Sequence, residues 1–258
     1  MPHVAAFDDG RVGIGREVMD VRREQILDSD PDLARGLQPA DDERLRHALT
    51  ARVVRVPMGT WEPRALLAEV PDGLGLLLLE GTMFARLAVA GRGGAEVMGP
   101  GDLLGSWVGW DAGSLGLRPS GHVVRPMRLA LLDRHVSTVL AAFPPVIATL
   151  LSRTQARGDR LLTQMAIVRR PHVTDRVILS LWALAERWGR VTPRGTELEL
   201  RLTHERIADL VAAQRPSVTL ALRQLEEEGR LLRVGSRAVL LGPPPSASDA
   251  TPQDAVAV

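Results

Sequence analysis

The 258-residue chain is long enough for one large or two modest domains, and we expect two, each with its own core. Hydrophobic residues make up 45% and charged residues 24%, a composition that excludes a mostly disordered chain, and no uncharged apolar run is long enough to span a bilayer. Cysteine is absent, which excludes disulfides, thiolate catalysis and cysteine-held iron–sulfur clusters, while a net charge of +1 means that any polyanion must be met by a local patch.

The first segment, residues 1–40, is charged and punctuated by proline and glycine, and we predict an N-terminal extension. Its first 20 residues lack the basic stretch and apolar run of a secretory signal, so we expect a cytoplasmic protein. A short helix is predicted just after this segment, around DDERLRHALT.

Residues 41–142 contain short apolar runs separated by glycine. Runs at this spacing are typical of short strands in a compact antiparallel roll or barrel. The predicted strands are RVVRVPM, RALLAEV, GLLLLEG, MFARLAVA, AEVMG and VVRPMRLALL.

A long helix is predicted over residues 143–170, with Pro144 and Pro145 in its first turn. Small or apolar residues recur at alternating steps of four and three, as in a heptad seam: Ile147, Leu151, Thr154, Gly158, Leu161, Met165 and Val168. This helix could lie along the roll, or it could pair with the same helix of a second copy. Thr154 and Gly158 favour the pair, because small residues let two helix backbones approach closely.

Residues 171–242 read as a winged helix-turn-helix. A helix with Thr174 as N-cap runs to Trp188, after Pro171 has ended the previous helix. The strand-like TELELRLT is followed by a short helix capped by Thr203, a turn at residues 212–214 and a second helix. The runs RLLRVG and SRAVLLG then form a hairpin. The tail, residues 243–258, is low in bulky apolar residues, and we predict that it is disordered.

The second helix of this motif has two different sides. Val218, Leu222 and Leu225 recur at helical spacing on one side, while Arg215, Thr219 and Arg223 recur on the other. A helical hairpin that only packs has no need for arginines and hydroxyls at the start of one helix. The pattern therefore favours DNA binding.

From Pro144 to Gly242 the sequence resembles the CRP/FNR family of bacterial transcription regulators. The resemblance is carried by LTHERIADLVAAQRPSVTLALRQLEEEG and by VTDRVILSLWALAE. It implies an α+β fold with a cyclic-nucleotide-binding-like β-roll (jelly roll), a long dimerisation helix and a winged helix-turn-helix. It also implies a homodimer that binds double-stranded DNA and contacts RNA polymerase.

The same resemblance implies roles for individual residues in DNA binding. Arg215 corresponds to an arginine that reads guanine in the major groove, whereas the family's next two base-reading residues, a glutamate and an arginine, are replaced by Pro216 and Leu220. Thr203, Gln214 and Ser217 correspond to positions that contact phosphates, and the wing residues Gly235, Ser236 and Arg237 are expected near the DNA backbone. Thr219 and Arg223, on the polar side of the second helix, complete the expected DNA-binding set. We therefore expect family-like docking on a different DNA sequence.

The sensor region departs from the family pattern. GPGDLLGSWVGW resembles the start of the phosphate-binding cassette, with Gly101, Asp102 and Gly105 in place, but Ser106 stands where nucleotide binders carry a glutamate. The family's arginine–serine pair survives at most as Arg118 and Ser120, and its adenine-recognising threonine and serine correspond to Leu161 and Leu162. Cyclic AMP binding is therefore not expected, and no cofactor is predicted. Trp107 and Trp110 could fill the pocket themselves, or they could be ordinary core residues.

Other functions are weaker expectations. Haem is not expected, because His122, His135 and His172 show no ligand spacing, and no metal cluster is predicted. No nucleophile–base pair or Walker loop is present, so we do not expect an enzyme. The alternative is a small-ligand sensor or interaction module whose helical C-terminal domain binds a protein partner.

Overall fold

The computed structural model describes residues 11–14, 17–89, 92–105, 118–234 and 237–245. The chain divides into two compact units, Met1–Asp159 and Arg160–Val258, called the N-terminal and C-terminal units below. The predicted fold class, α+β with an antiparallel N-terminal sheet and a C-terminal winged helix-turn-helix, is confirmed.

The N-terminal unit contains one eight-stranded antiparallel sheet. Its strands are β1 (Arg11–Ile14), β2 (Glu17–Gln25), β3 (Thr50–Val56), β4 (Gly59–Trp61), β5 (Gly75–Val89), β6 (Arg92–Met98), β7 (Leu103–Leu104) and β8 (Arg118–Leu132). The order is β1-β2-β3-β8-β5-β6, while β4 pairs with β8 and β7 pairs with β5. The segment predicted as an N-terminal extension thus contains β1 and β2, and β2 pairs with β3.

Two runs predicted as separate strands, GLLLLEG and MFARLAVA, form the single strand β5. Its register with β8 shifts between Leu78 and Met83, and Gly81 in this interval has a left-handed φ of 92°. A Cβ at Gly81 would lie 2.2 Å from the carbonyl oxygen of Pro126, so only glycine fits this close approach. The strand therefore bends at Gly81 without ending.

The run RALLAEV is not a strand, so that prediction was wrong. It forms the one-turn helix α2 (Arg64–Leu67), and Leu66, Leu67 and Val70 are buried. A short apolar run bounded by proline and glycine is consistent with either a buried strand or a buried helical turn, and periodicity alone does not separate them.

Both faces of the sheet are buried around the first half of β5, which explains its four consecutive leucines. Leu76 and Leu78 join one apolar cluster, and Leu77 and Leu79 join another. The second cluster is completed by three helices, α1 (Pro39–Ala48), α3 (Arg134–Ala141) and α4 (Pro144–Val168), through Leu45, Val136, Leu140, Val146 and Leu150. Since successive side chains of a strand point to opposite faces, this run is stable only where both faces are covered.

The C-terminal unit is built from three helices and a four-stranded sheet. These elements are α5 (Val173–Trp188), β9 (Gly189–Thr192), β10 (Gly195–Leu198), α6 (His204–Leu210), α7 (Arg215–Glu227), β11 (Leu231–Val234) and β12 (Arg237–Leu240). The sheet order is β11-β12-β10-β9, and the predicted hairpin pairs Leu231 with Leu240 and Val234 with Arg237.

One cap in this unit differs from the prediction. His172, not Thr174, is the N-cap of α5. The hydroxyl of Thr174 instead donates to Oε1 of Gln224 in α7 at 2.9 Å. The threonine therefore joins two helices rather than capping one.

Candidate nucleic-acid interface

Helices α6 and α7 form the predicted helix-turn-helix. The Oγ1 atom of Thr203 accepts from the backbone N–H of Arg206 at 3.3 Å, so Thr203 caps α6 as expected. Ala212 in the turn has a φ of 49°, and the N–H of Ala213 donates to the carbonyl of Ala208 at 3.0 Å. The inward residues Ile207, Leu210 and Val211 are buried.

The turn is held from outside by Arg176 of α5, a residue that sequence reasoning missed. Its guanidinium donates to the carbonyls of Arg170 at 2.7 Å and Pro171 at 3.1 Å, and more loosely to those of Val211 and Ala212, each at 3.4 Å. Arginine carries five donors and no acceptor, so one side chain can serve several carbonyls. The position of the turn is thereby tied to the start of α5.

Helix α7 separates its apolar and polar sides as predicted. Val218, Leu222 and Leu225 are buried, whereas Arg215 and Arg223 are exposed. Thr219 lies between them, partly buried, and its hydroxyl donates to the carbonyl of Arg215 at 3.0 Å. The exposed stripe therefore begins at the first residue of the helix.

The first turn of α7 is open to solvent. Gln214 is the N-cap in an extended conformation, and no side chain caps the helix there. Pro216 lies in the first turn, where its missing N–H costs no intrahelical bond. Ser217 is partly exposed, and the neighbouring Leu220 is 65% exposed. The N–H groups and positive dipole end of this turn suit an anion.

The other end of α7 is acidic, and Glu226 and Glu228 form ion pairs within the chain. The carboxylate of Glu226 accepts from Nε and Nη2 of Arg233 at 2.8 and 2.7 Å, which lowers the pKa of Glu226. Glu228 pairs with Arg230 at 3.4 Å, and Gly229 ends the helix with a φ of 67°. The glutamates therefore stabilise the end of the helix and the start of β11.

The wing hairpin carries one of the three predicted wing residues within the described chain. Arg237 is exposed, and its Nη1 atom lies 2.8 Å from a carboxylate oxygen of Glu197 in β10. Arg190 also pairs with Glu197, at 3.7 Å. Gly235 and Ser236 lie outside the described residues.

The long helix α4 presents two different faces. Along one face, Val146 and Leu150 are buried. The same face carries Arg153, which makes a bidentate pair with Asp30 at 2.5 and 2.8 Å. Arg157 also makes a bidentate pair, with Glu96, and donates to the carbonyl of Leu103 at 3.0 Å.

These two ion pairs stabilise the charged form of both arginines. The hydrogen bonds to Asp30 raise the pKa of Arg153, although burial opposes this. For Arg157 burial is the largest influence and favours the neutral form, but the hydrogen bonds and charge of Glu96 outweigh it and raise the pKa. The charged groups on this face of α4 are thus paired with carboxylates of the same chain.

The neighbouring face, about 100° around the helix axis from the first, carries the predicted seam, and it is exposed. The exposed fractions are 42% for Ile147, 57% for Leu151, 38% for Leu161 and 62% for Met165. Thr154 and Gly158 between them are also exposed, at least in part, and a Cβ added at Gly158 would meet nothing within 4 Å. Within the described part of the chain this stripe stays exposed, and an exposed apolar stripe of this kind marks an interaction surface.

The predicted effector pocket is only partly described. Asp102 is buried and accepts from the N–H of Gly99 at 2.9 Å, and Gly101, with a φ of 86°, lies under the guanidinium of Arg153. Gly105 follows β7, Ser120 pairs with Arg86 between β8 and β5, and Leu162 is 65% exposed. Ser106, Trp107, Trp110 and the side chain of Arg118 lie outside the described residues, so the pocket stays a prediction.

The described part of the chain contains neither a cluster of metal ligands nor a single membrane-spanning helix. No group of three or more histidine, aspartate or glutamate side chains there is placed to hold a metal ion. No single helix there is long and apolar enough to cross a membrane, although α3 and α4 pass that test as a pair across a bend of 118°.

An antiparallel sheet domain, a long helix with an exposed apolar stripe and a winged helix-turn-helix with a cationic first turn define a class of DNA-binding proteins. Residues 175–243 match the family model of the Crp-like helix-turn-helix domain. The chain is also 29% identical over 175 residues to the CRP-like cAMP-activated global transcriptional regulator of Mycobacterium tuberculosis. This alignment covers 67% of this chain and 77% of that protein. The chain therefore carries a Crp-like helix-turn-helix domain and is similar to CRP-like transcription regulators, as the sequence resemblance indicated.

Solved structures support the same fold. A cyclic nucleotide-binding domain containing protein from Listeria monocytogenes EGD-e aligns with a TM-score of 0.58 at 18% identity, covering 72% of this chain and 87% of that one. The c-di-GMP responsive regulator CLP of Xanthomonas campestris aligns with a TM-score of 0.55 at 20% identity, covering 80% of this chain and 100% of that one. A CRP-family regulator from Thermus thermophilus aligns with a TM-score of 0.52 at 20% identity, covering 73% and 91%.

Proposed function

We propose that this protein is a homodimeric, sequence-specific regulator of transcription that binds a two-fold-related DNA site in the cytoplasm and is not controlled by cyclic AMP. The observation that carries the proposal is the cationic, solvent-open first turn of α7, with Arg215 at its first residue and the acidic residues at its far end. By family resemblance, the bound dimer would act on RNA polymerase.

The first turn of α7 is suited to the major groove. Arg215 donates two hydrogen bonds to the two major-groove acceptors of guanine. A bidentate pair of this kind discriminates against the wrong base by about 1–3 kcal/mol. Gln214, Ser217 and Thr203 contact phosphates and fix the register, with Thr219 and Arg223 along the same stripe. Pro216 offers no base-reading group, and Leu220 offers only an apolar contact, for example to a thymine methyl.

A second copy is the proposed partner of the exposed face of α4. The apolar spacing alternates between four and three residues, which is the pattern of a helix pair, and small residues at Thr154 and Gly158 permit close approach. A homodimer built on this face presents two α7 helices to half-sites about one helical turn apart, ~34 Å.

Independence from cyclic AMP rests on the residues around the cassette. Leu161 and Leu162 are exposed side chains without hydrogen-bonding groups at the positions where the family recognises adenine. The nearby guanidinium of Arg157 is already engaged by Glu96 and a backbone carbonyl. A buried phosphate without a charge partner is costly, so the site disfavours a cyclic nucleotide. Isothermal titration showing micromolar binding of any cyclic nucleotide would contradict this part.

The DNA-binding proposal is tested by fluorescence anisotropy on a duplex selected with the purified full chain, with and without cyclic nucleotides. Arg215→Ala should lower affinity for the selected duplex about 10- to 100-fold and should relax preference at one base pair. Glu227→Ala, an exposed change at the other end of the same helix, serves as the matched control and should leave affinity within about twofold.

Unchanged affinity and base preference in Arg215→Ala would contradict the assignment of α7. If wild-type protein bound no duplex above the level of random DNA, the alternative of a protein-binding C-terminal unit would be favoured, and the 65% exposed Leu220 would be the first residue to test in that role.

A further inference from the structure

A chain of hydrogen bonds crosses the C-terminal unit from β11 to the first turn of α7. It starts at the Glu226 carboxylate, which holds Arg233 by two hydrogen bonds. Nη1 of Arg233 lies 2.9 Å from Nε2 of His204, and Nδ1 of His204 lies 2.9 Å from Oγ1 of Thr219. The Thr219 hydroxyl donates to the carbonyl of Arg215 at 3.0 Å. The chain thus ends on the residue proposed to read guanine.

The partners fix where the protons lie. A guanidinium has no acceptor, so the contact with Arg233 requires a free lone pair on Nε2 of His204. A neutral imidazole carries its single proton on the other nitrogen, so Nδ1–H donates to Oγ1 of Thr219. The threonine hydroxyl then has its own proton left for the Arg215 carbonyl. From Arg233 onward every hydrogen bond points towards Arg215, and this holds only for neutral His204 protonated at Nδ1.

We propose that His204 is a positioning residue for DNA reading: as the neutral Nδ1–H tautomer, it orders Thr219 and the first turn of α7 relative to the wing strand β11. The inference rests on the proposed function, because it concerns how the reading residue is held. His204 is the first residue of α6, directly after the N-cap Thr203. It acts through Thr219 and Arg215 and requires no DNA contact of its own.

The charges that face His204 favour this neutral state. Burial lowers its pKa first, followed by the positive charges of Arg233 in β11 and Arg215 in α7. Arg223 of α7 acts in the same direction, and Glu226 of α7 opposes them. Protonation would place an N–H on Nε2 against the Arg233 guanidinium, so the chain of hydrogen bonds would break there. We therefore expect the network to be complete at pH 7.5 and to open as the pH falls through the folded pKa of His204, which lies below the ordinary value of about 6.5.

Two variants separate the hydrogen bonds from the charge. His204→Leu removes both bonds without changing the net charge at pH 7.5, so phosphate contacts should be unaffected. We expect the ratio of affinities for the selected and random duplexes to fall about tenfold, while affinity for random DNA stays the same. His204→Gln keeps a donor and an acceptor but does not titrate. It should restore much of the affinity ratio at pH 7.5. In wild-type protein we expect this ratio to fall between pH 7.5 and 5.5, whereas in His204→Gln it should stay constant.

A readout without DNA keeps this inference separate from the proposed function. Long-range ¹H–¹⁵N spectra of the full chain report which ring nitrogen of each histidine is protonated, and His204→Gln assigns the signal. We expect the Nδ1–H tautomer for His204 at pH 7.5. His47→Leu, at an exposed histidine of α1, is the control and should leave both the His204 signal and DNA discrimination unchanged.

The Nε2–H tautomer in this spectrum, or unchanged discrimination in His204→Leu when wild-type protein discriminates, would overturn the inference. If the Nδ1–H tautomer is observed but wild-type protein shows no DNA discrimination, the proposed function fails and the positioning role fails with it.

Discussion

Helices α4 and α7 are both amphipathic, but their two sides are used in opposite ways. In α7 the apolar residues Val218, Leu222 and Leu225 are buried within the chain, and the arginines Arg215 and Arg223 are exposed. In α4 the arginines Arg153 and Arg157 are paired within the chain, and the apolar seam is exposed. This difference separates the two proposed interactions: the exposed seam of α4 suits an apolar partner, and the exposed arginines of α7 suit an anion.

The largest expected effect comes from placing a charge in the seam of α4. Gly158→Glu has room within the chain, since a Cβ there meets nothing within 4 Å, so folding should be unaffected. Between two paired helices the glutamates would face each other and separate the copies. We expect a single-chain mass of 28.0 kDa by light scattering and DNA affinity lower by about 100-fold or more, because one half-site replaces two.

Gly158→Ala and Ala156→Glu are the matched controls for this change. The first keeps a small residue in the seam, and the second puts the same charge on an exposed position outside it. Both should remain dimeric. A dimer in Gly158→Glu would show that the exposed face of α4 has another role.

The paired face of α4 predicts a loss of stability rather than of assembly. Arg157 and Glu96 are 17% and 19% exposed, and removing one partner leaves a mostly buried charge unpaired. Arg157→Met should lower the free energy of unfolding by about 3 kcal/mol in urea titrations. Adding Glu96→Leu should recover much of this loss, while Arg35→Met, in a pair exposed at 79% and 63%, should change little. Equal effects of Arg157→Met and Arg35→Met would contradict this account.

A smaller effect is expected at the wing, where Arg237 is both exposed and paired with Glu197. Arg237→Ala should weaken binding to all duplexes alike and reduce the slope of log affinity against log salt by about 1. Anisotropy titrations over a salt series measure this slope. A change in base preference instead would mean that Arg237 reads the sequence.

The smallest expected effect is on the pH dependence of stability in the C-terminal unit. The pKa of His204 is lowered in the folded state by burial and by Arg233, so the unfolded state binds the proton more readily. This contribution is fully present above about pH 6.5 and is lost as the pH falls through the lower folded value. Urea midpoints should therefore drop between pH 7.5 and 5.5 by more in wild-type protein than in His204→Gln. Glu226 does not contribute in this range, because its unfolded pKa is about 4.3. Parallel midpoints in the two proteins would contradict the expectation.

Local patterns predicted the elements that depend on one segment. The cap of α6, the turn, and the buried sides of α6 and α7 follow from spacing within residues 203–229. The end of α7 follows from the glycine at 229, which readily adopts the left-handed conformation found there. The seam of α4 was found in the same way. In each case one helix carries all the information that the prediction needs.

Contacts between distant residues were not predictable from the sequence. Arg153 and Asp30 lie 123 residues apart, and Arg233 and His204 lie 29 apart, so no local pattern connects them. The helix at RALLAEV and the single bent strand β5 were missed because short apolar runs do not reveal their conformation. One signal for the His204 network is present in the sequence. His204 follows the predicted N-cap Thr203, and the next helix carries Thr219 in its polar stripe.

Two copies of the chain should present the first turn of α7 to one DNA site. This arrangement is tested most directly by selecting from random duplexes with the purified full chain and sequencing the bound fraction. The account predicts an inverted repeat with a guanine in each half-site and half-site centres about one helical turn apart, ~34 Å. Enrichment of a single unpaired half-site, or no enrichment at all, would contradict it.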